Sequence, residues 1–146
     1  MEAPRHIGRE IKALNNQIKR VMDSRLGQFA PNDDGPTGVQ GMIIGYLYYR
    51  RDQDVYQRDV EAEFHIRRST ATGILQLLEK KGVIERLPVP SDARLKKLVL
   101  TPKALAVHEQ IAKEIEAMEA QLVRGLTPEE VDAFFNTIKK MRRNIE

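Results

Sequence analysis

Ser69, Thr70, Thr72 and Gln76 set three hydroxyls and a side-chain amide along one short stretch of chain. Groups of this kind make directional hydrogen bonds, and with no base positioned to activate them they do no covalent chemistry. Basic residues flank them. Arg67 and Arg68 come just before, Lys80 follows, and Arg94, Lys96 and Lys97 cluster further on. Residues 64–103 hold nine Lys and Arg against three acids, while the rest of the chain holds fifteen against eighteen. A net charge of +3 therefore conceals a local basic surface, the footprint of a partner rich in phosphate. Cations that hold a polyanion, beside polar groups that read base edges, are the chemistry of double-stranded DNA recognition.

An ordered set of elements must position these groups. At 100° per residue, Ala71, Ile74, Leu75 and Leu78 fall on one side of a helix over about Ser69–Lys81. Ser69, Gly73, Gln76 and Lys80 lie opposite, with Thr72 on the flank. Lys80 and Lys81 suit the negative end of the helix dipole, and Gly82 suits the left-handed residue that ends it. Upstream, Tyr56, Val60 and Phe64 predict a helix over about Tyr56–Phe64, opened by a capping box of Asp54 and Gln57. His65 falls in the turn between the two helices, and histidine tolerates positive φ better than most residues. Downstream, Val83–Leu87 and Lys96–Leu100 read as strands around a tip, Pro88–Arg94. Helix, turn, helix and a small wing of two to three strands form a winged helix-turn-helix.

The remaining segments are mainly helical. Ile11, Leu14, Ile18, Val21 and Met22 predict a helix over about residues 5–27, and Phe29–Gly38 reads as a loop. Another helix is expected over about Val39–Arg50. Thr101 and Pro102 form an N-cap and first residue for a helix to about Arg124, with a seam of Ala104, His108, Ile111, Ile115, Met118 and Leu122. Gly125 breaks it. Thr127 and Glu130 make a capping box for a last helix carrying Val131, Phe134, Phe135, Ile138, Met141 and Ile145 on one face. The expected organisation is a DNA-binding region over 36–101, with dimerisation helices over 1–30 and 102–146.

Several function classes lack their residues. Without cysteine there is no disulfide framework or thiolate site, and His6, His65 and His108 show no metal-ligand spacing. No Gly-rich phosphate loop or G-x-S-x-G occurs, so neither an enzyme nor a cofactor is expected. No apolar run approaches the ~20 residues of a membrane span. The first residues, MEAPRHIGREIK, have no apolar stretch of the secretory kind, so a soluble cytoplasmic protein is the default expectation.

Three residue groups, in order and spacing, resemble the MarR family of small bacterial winged-helix regulators. They are RRSTATGILQLLEKKGVIER (Arg67–Arg86), the D-x-R of Asp92-Ala93-Arg94, and Leu100-Thr101. The six-helix layout extends the likeness across nearly the whole chain. Glu61, His65, Gly73 and Lys103 or Ala104 depart from residues common in relatives. The resemblance implies a homodimer on an inverted-repeat operator, with repression relieved by a small aromatic or phenolic ligand. It also implies that Arg94 reaches the minor groove while Asp92 orients the wing through an ion pair.

The candidate DNA-binding residues are thus Arg67, Arg68, Ser69, Thr70, Thr72, Gly73, Gln76, Lys80, Asp92, Arg94, Lys96 and Lys97. Ser69 also suits an N-cap, and Gly73 suits either close approach to DNA or neutral drift. Arg94, Lys96 and Lys97 also fit a merely solvated hairpin. Tyr46, Tyr48 and Tyr49, with His108, are candidates for an effector pocket or for core packing. His108 on its apolar seam also reads as an interface residue with its hydrogen bonds satisfied.

Overall fold

The computed structural model describes Met1, residues 3–27 and residues 37–146. Its elements are α1 (Ile7–Leu26), α2 (Val39–Tyr49), α3 (Gln57–Phe64), α4 (Arg68–Lys80), β1 (Ile84–Val89), β2 (Asp92–Leu100), α5 (Pro102–Leu122) and α6 (Pro128–Asn144). The expected loop over Phe29–Gly38 lies outside the described residues, apart from Thr37 and Gly38. The chain divides into two compact units, Met1–Glu114 and Ile115–Glu146, with α5 passing from one into the other.

In the first unit, α2, α3, α4 and the base of the wing close on one core. Ile43, Ile44, Leu47, Val55, Val60, Leu75, Leu78, Ile84 and Leu98 are buried together. The amphipathic spacing of α4 places Ala71, Leu75 and Leu78 in that core, which drives the helix onto α3 and β1. The two helices meet across a left-handed residue, since His65 ends α3 at φ 51°. Gly82 at φ 73° ends α4, with Gly82 N–H donating to the Glu79 carbonyl and Val83 N–H to the Leu78 carbonyl. That pair of bonds is a Schellman close, and it sends the chain directly into β1.

The wing differs from its expected form. Its antiparallel strands reach further toward the tip than the sequence suggested, leaving Pro90 and Ser91 as a two-residue turn. Pro88 pairs with Lys96, yet Val89 pairs with Asp92, so Ala93, Arg94 and Leu95 bulge with no partner on β1. Proline carries no N–H for the ladder, which makes this a natural place for the register to break. Lower down, Leu98 N–H donates to the Val55 carbonyl at 2.7 Å and fixes the wing to the chain before α3.

Thr101 joins three elements. Its hydroxyl donates to the Gly82 carbonyl (2.8 Å), its N–H donates to the Val83 carbonyl (3.0 Å), and its Oγ1 caps α5 through Ala104 N–H (3.2 Å). The capping box of α3 falls elsewhere than expected. The Asp59 carboxylate accepts the Tyr56 N–H at 2.8 Å, while Asp54 and Gln57 face other partners. In the second unit, Gly125 sits at φ 82°, and Thr127 and Glu130 exchange the expected box bonds at 3.1 Å each.

Candidate nucleic-acid interface

α4 seals one face and leaves the other bare. Arg68, Ser69, Thr70, Gly73, Gln76 and Lys80 are all exposed, as is Arg67 just before the helix. The helix opens with Arg67 as its N-cap, so Ser69 lies inside the first turn and is not the cap. An added Cβ on Gly73 would meet nothing within 4 Å, so packing does not require glycine there. Thr72 on the flank is half-buried, and its Oγ1 accepts a hydrogen bond from Gln57 Nε2 at 2.9 Å.

Between α3, the first residue of α4 and the wing lies a groove of about 410 Å³. Arg58, Arg68, Arg86, Arg94 and Lys96 line it, with Glu61 as an acid among them. Arg86 reaches Glu79, its Nε donating to Oε2 at 3.0 Å. Among the described residues Asp92 does not form the expected ion pair. Its Oδ1 accepts the backbone N–H of Arg94 at 2.9 Å, a two-residue loop bond that shapes the bulge and leaves the guanidinium at the groove. Lys97 is drawn aside, its Nζ lying 3.3 Å from Asp54 Oδ1. The structure therefore gathers Arg68, Arg94 and Lys96 around one groove, leaves Ser69, Thr70, Gly73 and Gln76 exposed on α4, and ties Lys97 to the α2–α3 connection. Arg58 is hard to pick out in the sequence because Asp59, Glu61 and Glu63 make its segment look acidic. Its place opposite the face defined by Tyr56, Val60 and Phe64 is the available signal.

A second feature lies between α2 and α5. The ring of His108 packs on Tyr48 with centroids 4.8 Å apart, and the Arg51 guanidinium sits 4.4 Å over the same Tyr48 ring. Tyr49 meets Tyr48 edge-on at 5.3 Å and is largely exposed. Tyr46 turns the other way, onto Phe64 at 5.7 Å under Arg50. Of the four candidates Tyr46, Tyr48, Tyr49 and His108, then, Tyr46 packs against the hydrophobic core, and Tyr48 is the ring that meets the histidine. His108 is 3% exposed, and its Nε2 has no hydrogen-bond partner among the described residues. Burial lowers its pKa from the ordinary 6.5, because the charged form is poorly solvated there.

The chain has recognisable relatives. A family profile described as MarR family matches residues 34–95. The crystal structure of the transcription regulator MarR from Oenococcus oeni PSU-1 is 35% identical, covers 94% of this chain and 99% of that one, and superposes with a TM-score of 0.80. MepR of S. aureus, solved as a complex with DNA, is 25% identical, covers 97% of this chain and 100% of its own, and gives a TM-score of 0.77. The uncharacterised HTH-type transcriptional regulator YybA of Bacillus subtilis is 29% identical over 104 residues, 69% of each chain. Among the described residues no helix is long and apolar enough to cross a membrane.

Proposed function

Because the chain belongs to the MarR family of DNA-binding transcriptional regulators, we propose that it acts as a homodimeric repressor of an inverted-repeat operator. In this reading each subunit lays α4 into a major groove, and the wing carries Arg94 to the neighbouring minor groove. The single observation that supports it most is the pairing of a bare polar helix face with a groove lined by five cations. A DNA strand separating the two grooves has its phosphates between helix and wing, where those cations sit. Ser69, Thr70, Thr72, Gly73 and Gln76 face base edges or backbone in this arrangement. Arg67, Arg68, Lys80 and Lys96 supply the positive field, Lys97 adds less because it is paired with Asp54, and Asp92 shapes the loop that presents Arg94. Helices α1, α5 and α6 form the dimer.

The test is selection of the purified protein against a randomised duplex library at near-physiological salt. A palindrome with half-site centres about 10–10.5 bp apart, or a multiple of that, is the expected result. Affinity for it should fall steeply as salt rises. Failure to enrich any motif by folded protein would overturn the reading and favour a winged-helix module that binds protein.

Release by a small aromatic ligand is a second element of the proposal, favoured by the unpartnered Nε2 of His108 beside Tyr48. A buried polar atom without a partner is unfavourable, and a phenolic or carboxylate oxygen would supply one. Screening aromatic acids by thermal shift, and then for release of the selected duplex, should find a compound that does both. No shift from any of them would remove the ligand from the reading.

A further inference from the structure

Gln57 lies on α3, outside the recognition helix, yet its side chain ends on that helix. Its Nε2 is 2.9 Å from Thr72 Oγ1 and 3.4 Å from the Arg68 carbonyl oxygen. A carbonyl oxygen only accepts, so the atom facing it is the amide NH2, and the orientation of the amide follows. A helical threonine commonly turns its own hydroxyl proton back onto the carbonyl four residues earlier. For Thr72 that carbonyl belongs to Arg68, which Gln57 already approaches. Gln57 thus donates to the hydroxyl oxygen and competes for the acceptor its proton would otherwise take.

From this geometry we infer that Gln57 is a positioning residue for base readout, holding the Thr72 hydroxyl as a donor toward DNA. The inference rests on the proposed placement of α4 in a major groove. Thr72 is the fifth residue of α4, in the N-terminal half from which a recognition helix meets base edges. A fixed donor there selects an acceptor in the major groove: purine N7, guanine O6 or thymine O4. It disfavours the exocyclic amino groups of adenine and cytosine, which only donate. Sequence preference at one position of each half-site would therefore be set by a residue on the preceding helix.

The experiment compares the full-length protein with Gln57→Ala, Thr72→Val and the double variant, on the selected duplex and on every single-base substitution of it. A neutral hydrogen bond of ordinary strength corresponds to a loss of discrimination of about fivefold. That loss is expected at the same single base pair per half-site in both single variants, and the double variant should be no worse than either. Gln57→Glu gives the distinguishing readout. A carboxylate only accepts, so it takes the Thr72 proton, turns the oxygen lone pairs outward, and should shift the preference at that base pair toward an amino donor. Its added negative charge lowers affinity on every sequence alike, which separates the two effects.

Equal weakening by Gln57→Ala on all sequences, or full additivity in the double variant, would overturn the inference while leaving the operator reading intact. Unchanged base preference in Gln57→Ala and Gln57→Glu, with melting temperatures like the parent's, would overturn it as well. Failure of the parent protein to prefer any duplex would bring down both.

Discussion

Helices α4 and α6 each carry a continuous apolar stripe, and among the described residues the two stripes differ in how far they are buried. Leu75 and Leu78 are 0% exposed, whereas α6 buries none of its residues and leaves Phe134 and Phe135 at 53% and 63% exposure. The two phenylalanines stack edge-to-face on each other at 5.6 Å and otherwise present their rings to solvent. An apolar stripe states that a complement exists without saying on which chain it lies. One helix serves a closed reading head, and the other serves the proposed assembly of two chains.

Truncating each stripe tests this contrast directly. Leu75→Ala should cost about 2–5 kcal/mol of folding stability, because the surrounding core cannot collapse into the space left. The loss would appear as a lower urea midpoint at unchanged slope. Combined Phe134→Ala and Phe135→Ala should keep the helical circular dichroism but weaken self-association by roughly tenfold or more, given the apolar area the rings would bury. Sedimentation across a dilution series measures it. Should the pair of substitutions leave self-association untouched, α6 has no role in assembly and the contrast fails.

The next effects concern the exposed side of α4 and the wing. On the proposed placement of Arg94 in a minor groove, Arg94→Ala should weaken operator binding about tenfold at fixed salt and leave the protein folded. Unchanged affinity would reduce the wing to a solvated hairpin. Gly73→Ala should raise stability by about 1 kcal/mol, since alanine is the better helix former and its methyl group meets open space. The same substitution should weaken operator binding if DNA approaches the backbone there. A gain in stability with no loss of binding would identify Gly73 as drift.

These contrasts also mark what the sequence could reveal. Everything governed by local periodicity was legible: the buried face of α4, the Gly82 and Thr127 helix ends, the left-handed His65, and Thr101 as a cap. The misplacements share a physical origin. Asp54, Gln57 and Asp59 are each competent near the start of α3, and the choice of Asp59 as the box partner follows from distant pairings. Lys97 engages Asp54, and Gln57 reaches Thr72. The bulge that presents Arg94 depends on strand register, which the Pro-flanked tip concealed. Arg58 joins the cationic groove only because α3 packs against α4 at a particular angle. Local chemistry proposed the DNA-facing residues, but long-range geometry decides which of them share a groove.

The smallest expected effect concerns His108, and it asks whether the reading head is as closed as its core implies. Burial depresses the folded-state pKa of this histidine below 6.5, so on acidification the unfolded chain takes up the proton first. Its contribution to stability is therefore complete above pH 6.5, declines as pH falls toward the folded-state pKa, and is constant below it. His108→Phe keeps a ring against Tyr48 but removes the titration and the unpartnered nitrogen. Melting temperatures between pH 8 and pH 5 should then fall less in the variant than in the parent, and at pH 8 the variant should be at least as stable. Comparing the two chains removes the contributions they share. An identical slope in both would mean that the His108 site opens enough to solvate its charge, so that α2 and α5 hold the ring less firmly than the core holds Leu75.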